Sequence, residues 1–112
     1  MPSQITRLTL FKIPDPTNQQ QLLEKYQTIQ KDALKDGNPY ILSVRAGPTI
    51  NDQRRQGYTV AAVSTFASLE DMRYYDEWCA AHAALKGLAR TLHQGVLMVY
   101  FEPGIGAVLH ED

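Results

Sequence analysis

Residues 96–101 read VLMVYF, an unbroken run of six apolar side chains with the length of one strand. Alternate side chains of a strand point to opposite faces of its sheet, so this strand is apolar on both faces. Helices cover only one face, and a large bare apolar patch is rare on a soluble monomer. The sequence therefore predicts a twofold homodimer packed sheet on sheet. The alternative is that the chain folds alone and the second face forms the floor of a ligand site.

Six segments show the periodicity of regular secondary structure, in the order strand, helix, strand, strand, helix, strand. Their predicted limits are 5–12, about 17–35, 40–46, 58–66, 68–92 and 96–101. Thr17 or Asn18 is the predicted N-cap of the first helix. The second helical region is expected to break between Trp78 and Ala81, where its apolar register slips. This order predicts an α+β, ferredoxin-like βαββαβ protomer with a four-stranded antiparallel sheet and the helices on one face.

The length of 112 residues fits a single domain. Its core is expected over about 5–102 and a tail over 103–112, where Ala107 to Leu109 form a short apolar stretch. One cysteine, Cys79, excludes an internal disulfide and is consistent with a reducing, cytoplasmic location. Since no apolar run approaches the ~18 residues of a membrane span, no membrane association is expected.

The net charge of −1 argues against a nucleic-acid partner, because such proteins usually carry a basic excess that neutralises phosphates. The βαββαβ order is shared with the RNA recognition motif, which stacks bases on aromatic residues of its third strand. The corresponding octamer here, residues 56–63, contains only one aromatic residue, Tyr58, and has Val60 and Val63 at the other stacking positions. RNA binding is therefore not expected.

His82 is the strongest candidate for chemistry, because it lies among small apolar residues in the segment AAHAALK at 80–86. An imidazole has a reference pKa near neutrality and can act as an acid or a base. Tyr75 precedes it by about two helical turns, and Tyr26 lies on the apolar stripe of the first helix. Both tyrosines could present a hydroxyl to one cavity. The alternative is that His82 is a buried or capping residue and the tyrosines belong to the core.

Other kinds of site lack a sequence pattern. His82, His93 and His110 do not have the spacing of metal ligands, and no Gly-rich phosphate loop opens a helix, so no metal and no cofactor are expected. Cys79 is expected to be structural. The adjacent carboxylates Asp76 and Glu77 are expected to face solvent.

Short motifs occur along the chain in an order that resembles the stress-responsive dimeric α/β-barrel (Dabb) family. They are LFK at 10–12, GYT at 57–59, TFxS at 65–68, and Tyr75 followed by AH at 81–82 and LK at 85–86. A final apolar strand that ends in an aromatic residue completes the pattern. Together these features cover about residues 5–102.

The resemblance implies a ferredoxin-like protomer and a dimeric barrel. One branch of the family, similar to olivetolic acid cyclase, folds a linear polyketide thioester by aldol chemistry. In that branch a histidine is the general base and a tyrosine on the same helical region orients the substrate. Those roles would fall on His82 and Tyr75, and Tyr26 matches a tyrosine of the pocket.

Arg7, Tyr58 and Trp78 join Tyr26 as the predicted substrate contacts. Arg7 stands where many relatives have histidine, and Trp78 adds bulk near the site. Ala80 replaces a proline that is familiar two residues before the histidine, and the stretch from Tyr75 is one residue longer than in the cyclase.

Two functional hypotheses follow. The first is a cofactor-independent cyclase or lyase acting on a polyketide-like or aromatic small molecule. His82 would remove a proton next to a carbonyl, and Tyr75 would hydrogen-bond the carbonyl oxygen. The expected apolar interior is lined by Leu8, Leu10, Val60, Met98 or Tyr100. The second is a non-catalytic, stress-responsive dimeric protein that binds a small apolar or aromatic ligand, with His82 as a packing residue.

Overall fold

A computed structural model of the chain describes residues 3–106. Its elements in chain order are β1 Ile5–Lys12, α1 Pro16–Asp32, β2 Leu34–Lys35, β3 Asn38–Pro39, β4 Ile41–Pro48, a 3₁₀ turn Gln53–Arg55, β5 Val60–Phe66, α2 Leu69–Glu77, α3 Ala80–Leu92 and β6 Gly95–Phe101. Four long strands form one antiparallel sheet in the order β4–β5–β1–β6. The predicted α+β, ferredoxin-like arrangement is confirmed, with α2 and α3 together as the second helical region.

The first helix begins earlier than predicted. Asp15, and not Thr17 or Asn18, is its N-cap, because the Asp15 carboxylate accepts a hydrogen bond from the Thr17 backbone N–H at 2.9 Å. Pro16 occupies the first turn, where an N–H group would have no helical partner. Two residues that read as caps in the sequence therefore lie inside the helix.

The first helix also ends earlier than predicted, at Asp32 instead of near Lys35. Ala33 adopts an extended conformation and is fully buried. Leu34 and Lys35 then pair as β2 with β3 in a separate two-stranded hairpin. The apolar stripe alone does not predict that the helix ends here. Ala33 is apolar and lies at the helical spacing, but its backbone is no longer helical.

The predicted break in the second helical region is confirmed. Ser68 caps α2 by accepting a hydrogen bond from the Asp71 N–H at 3.2 Å, and the helix ends at Glu77. Trp78 and Cys79 leave the helical conformation, and α3 begins directly after them at Ala80. In the part of the chain that the structure describes, no helix is both long and apolar enough to cross a membrane.

The two faces of the sheet have different surroundings. On β1 the alternate residues Ile5, Arg7, Thr9 and Phe11 are buried beneath the helices. On the opposite face four large apolar side chains are 36–53% exposed: Val63, Leu97, Val99 and Phe101. The prediction that β6 presents apolar residues to both faces is therefore correct for the protomer.

The expected lining of the interior mixes residues from the two faces. Leu8 and Leu10 pair across the sheet with Val99 and Leu97 and lie on the open face. Met98 pairs with Thr9, and so faces the helices. Side chains alternate with a period of two along a strand, so adjacent positions cannot line the same cavity. The space under the helices and the open face are separate sites. The predicted apolar stretch in the tail, 107–109, lies outside the described residues.

Candidate active site

The break between α2 and α3 leaves carbonyl groups at the end of α2 without helical partners. Side chains of α3 bind two of them. His82 Nδ1 lies 2.8 Å from the Tyr75 carbonyl oxygen, and Lys86 Nζ donates to the Asp76 carbonyl oxygen at 2.8 Å. A carbonyl only accepts hydrogen bonds, so His82 Nδ1 must carry the proton. The neutral ring then keeps an unprotonated Nε2, which is the atom that can act as a base.

Stacking against Tyr75 holds the imidazole in place. The two ring centroids are 3.6 Å apart and the planes are inclined by 11°. Tyr75 in turn packs on Phe66 of the central sheet, with centroids 5.2 Å apart. His82 and Tyr75 are 2% and 1% exposed, so neither ring is free to reorient in solvent. Both χ angles of the histidine are thus fixed by packing and by one hydrogen bond.

Burial determines the charge states of the site. It lowers the pKa of His82 to about 3; the hydrogen bond to Tyr75 opposes this shift, while the nearby cations Arg7 and Lys86 add to it. His82 is therefore neutral at physiological pH. Burial also raises the pKa of Tyr26 to about 12 and that of Tyr75 further, so both hydroxyls keep their protons.

Arg7 and Asp76 form an ion pair beside the histidine. Arg7 Nη2 donates to Asp76 Oδ1 at 2.8 Å, and Arg7 Nη1 donates to Thr9 Oγ1 at 3.2 Å. The same carboxylate oxygen lies 3.8 Å from His82 Nδ1. The expectation that Asp76 faces solvent is wrong, because a buried guanidinium on β1 needs a counter-ion. Glu77 does face solvent, as predicted.

His82 lines a cavity of about 250 Å³ between α3 and the β1–β6 side of the sheet. The wall from the sheet comprises Arg7, Thr9, Phe11, Val96 and Met98. One stripe of α3 forms the other wall, with members at helical spacing: His82, Leu85, Lys86, Ala89, Arg90 and His93. Tyr26 of α1 also lines the cavity.

The structure brings three of the predicted site residues to this cavity: His82, Arg7 and Tyr26. Tyr75 lies directly behind His82 and does not form part of the cavity wall. Trp78 is 74% exposed in the break between the helices.

Tyr58 is also remote from the cavity. It packs under Lys12, whose Nζ lies 4.9 Å from the ring centroid. β5 begins at Val60 and not at residue 58 as predicted, so Tyr58 lies before the strand. The side chain of Tyr58 therefore does not follow the alternation of β5.

Sequence reasoning missed His93 and misplaced Asp76. His93 ends the same α3 stripe as His82, eleven residues further on, so helical spacing was a usable signal.

A larger open groove of about 490 Å³ lies between α1 and β4 and shares Tyr26 with the smaller cavity. The groove lacks His82, and Arg45 is the only charged residue in its lining. The smaller cavity, which contains the histidine, is therefore the better candidate for acid–base catalysis. Within residues 3–106 no three His, Cys, Asp or Glu side chains come together as a metal site.

Fold and site together define a class of protein: an α+β, ferredoxin-like protomer with a buried histidine at a cavity between sheet and helix. The chain belongs to the stress responsive A/B barrel domain (Dabb) family, whose model matches residues 5–103. Over 100 residues it is 40% identical to a Gibberella zeae protein named as a fusaristatin A biosynthesis cluster protein. That match spans 88% of this chain and 72% of the relative.

Solved structures share the fold. The hydroxynitrile lyase from Passiflora edulis superposes with a TM-score of 0.75 at 15% identity, over 98% of this chain and all of that one. A dimeric ferredoxin-like protein of unknown function from Thermobifida fusca gives a TM-score of 0.73 at 16% identity, over 91% and 92% of the two chains. At such identities the two structures establish the fold alone.

Proposed function

We propose that this protein is a cofactor-independent cyclase or lyase that acts on a polyketide-like or aromatic small molecule, with His82 as the general base. The observation that carries the proposal is the fixed tautomer of His82. Its Nδ1 proton is held by the Tyr75 carbonyl, and its ring lines a cavity. The name of the 40% identical relative, a biosynthesis cluster protein, supports a role in making a small molecule.

In the proposed reaction His82 Nε2 takes a proton from the carbon next to a substrate carbonyl. The C–H electron pair moves to the carbonyl oxygen and forms an enolate. The enolate carbon then attacks a second carbonyl of the same molecule, forming a C–C bond, and the resulting alkoxide takes the proton back from His82. No oxidant or external reductant is needed, because every electron pair and proton stays within the substrate and the imidazole.

The low pKa of His82 in the free protein makes this base weak until substrate binds. An enolate oxygen about 4 Å from the imidazolium would attract it by ~4 kcal/mol at an effective dielectric constant of about 20. That energy corresponds to about three pKa units, which would raise the basicity of His82 towards its ordinary value.

Two donors at the cavity are placed to meet the enolate oxygen. Arg7 Nε is buried and has no hydrogen-bond partner, and the Tyr26 hydroxyl keeps its proton. We assign the oxygen contact to these groups first. Because Tyr75 stacks behind His82, we assign it the positioning of the base. Trp78 and Tyr58 have no part in the proposed mechanism.

The test is turnover of a linear poly-β-ketoacyl thioester by the purified protein. Mass spectrometry should detect a cyclised or cleaved product at a rate above the uncatalysed reaction. A series of chain lengths is needed, since the cavity of about 250 Å³ limits substrate size. If no member of the series is turned over although the protein binds it, the enzyme proposal fails.

That result would favour the alternative, a non-catalytic, stress-responsive protein that binds a small apolar or aromatic ligand. One observation supports it: His82 is almost completely covered and its free-protein pKa is far below neutrality. Such a histidine could also have a purely structural role, in which its hydrogen bond to the Tyr75 carbonyl joins α3 to the end of α2. Cys79, a buried free thiol, suits a reducing, cytoplasmic location under either function.

We further propose that the protein is a homodimer, with a second copy covering the open face of the sheet. Dimeric relatives of the same fold support this assembly. Light scattering should give twice the protomer mass of 12.6 kDa. Val99→Lys places a charge among the exposed apolar residues of the open face, on the edge strand β6, and should yield a monomer. The matched control Ile50→Lys changes a residue that is 82% exposed in a loop and should leave the dimer intact. A wild-type monomer at micromolar concentration would contradict the proposal.

A further inference from the structure

Two buried polar atoms at the cavity have no hydrogen-bond partner. They are Arg7 Nε and His93 Nδ1, and both residues line the cavity beside His82. Buried donors and acceptors are almost always paired, so each such atom calls for an explanation. Their occurrence in the wall of the same cavity indicates that a bound molecule satisfies them.

The two atoms belong to opposite ends of the cavity. Arg7 and Phe11 are four residues apart on β1, which corresponds to about 13 Å along a strand. Arg7 is at the end next to His82, whereas the His93 ring packs against Phe11 with centroids 6.0 Å apart. A ligand that reaches both atoms is therefore elongated, and its middle contacts apolar residues such as Leu85 and Ala89.

The charges around the cavity favour an anion. Lys86 and Arg90 line it together with Arg7, and no carboxylate is among the lining residues. Asp76 pairs with Arg7, and Lys86 is held at the same end by the Asp76 carbonyl, so Arg90 is the cation at the His93 end. The C-terminal end of α3 carries about half a negative charge, which opposes an anion near His93. The full charge of Arg90 outweighs that half charge.

We propose that the cavity binds a linear organic acid, with its carboxylate beside Arg90 and His93 and its apolar body directed towards His82. A carbonyl oxygen near the other end of such a molecule would accept from Arg7 Nε. This inference rests on the proposed function only in taking this cavity as the ligand site. It assigns His93 and Arg90 a binding role that neither sequence pattern nor the proposed reaction requires.

Octanoate and its uncharged isostere octanamide are suitable probes, compared by titration calorimetry with the purified chain at low salt. The carboxylate should bind about fivefold more tightly than the amide, since Arg90 contributes ~1 kcal/mol in a water-like dielectric. Arg90→Gln should weaken octanoate about fivefold and leave octanamide unchanged. His93→Phe keeps the ring against Phe11 and should weaken both probes, because the ring nitrogen that meets either head group is lost.

Arg73→Gln removes an exposed cation of α2 away from the cavity and serves as the matched control, with no effect expected on either probe. On octanoate addition the imidazole ¹⁵N signals of His93 should shift. Equal affinity for the two probes, no binding of either to the folded chain, or an unchanged preference in Arg90→Gln would overturn the inference. Binding is measured without turnover, so its failure is distinct from failure of the proposed reaction.

Discussion

Replacing His82 by asparagine is expected to lower the turnover rate roughly 10²–10⁴-fold, the usual contribution of a positioned general base. The asparagine Nδ2 takes the side-chain position of Nδ1, so it can still donate a hydrogen bond to the Tyr75 carbonyl. Asparagine lacks the basic lone pair of Nε2. The change therefore removes the base while keeping the connection between α2 and α3, and KM should change much less than kcat. The measurement is steady-state product formation with a thioester that the wild type converts.

Two variants of Tyr75 separate positioning from direct contact with substrate. Tyr75→Phe preserves the stack on His82 at 3.6 Å and should retain most of the activity. Tyr75→Leu removes the stack and should lower kcat. A large loss in Tyr75→Phe would show instead that the hydroxyl contacts the reacting oxygen, as the family resemblance implies. An undiminished rate in His82→Asn would exclude the proposed mechanism.

The stability of the wild type should fall more steeply on acidification than that of the His82→Asn variant. In the unfolded chain His82 binds a proton below pH 6.5, whereas in the folded protein it does so only near pH 3. The unfolded state therefore binds more protons between these values, so the free energy of unfolding decreases as pH falls. The expected difference in slope is about 1.4 kcal/mol per pH unit in the fully developed part of that window.

Urea unfolding at a series of pH values between 7 and 4 measures this slope. Carboxylates also titrate in this range, but they contribute equally to both proteins and cancel in the comparison. Arg73→Gln, which changes an exposed residue of α2 away from His82, is the matched control, and its pH dependence should follow that of the wild type. Parallel curves for the wild type and His82→Asn would mean that burial does not depress the pKa of His82.

The fold was predictable because its signals are local. A strand of continuous apolar residues, the order of six periodic segments and a slipped register near Trp78 each concern neighbouring residues. The errors at the ends of α1 have local causes too. Pro16 in the first turn makes Asp15 a better cap than Thr17, and the hairpin after Ala33 ends the helix before its apolar spacing stops.

The site was less predictable, because it depends on contacts between distant parts of the chain. Arg7 and Asp76 are 69 residues apart, and only the position of β1 beneath the α2–α3 junction brings them together. In the sequence Asp76 is one of two adjacent carboxylates, which is typical of a solvent-facing position. Trp78 is close to His82 in sequence, yet it does not line the cavity. Closeness in sequence therefore did not predict a shared site. The tautomer of His82 depends on the Tyr75 carbonyl, which has no helical partner because α2 ends nearby. A pattern of side chains in the sequence cannot predict such a backbone contact.

The central claim is that His82 is a neutral imidazole with its proton on Nδ1 and a free lone pair on Nε2. Long-range ¹H–¹⁵N NMR of the imidazole rings measures both properties directly, without a substrate. We expect a protonated Nδ1 and an unprotonated Nε2 for His82 at neutral pH, with titration only near pH 3. A proton on Nε2, or titration close to the ordinary value of 6.5, would contradict the account.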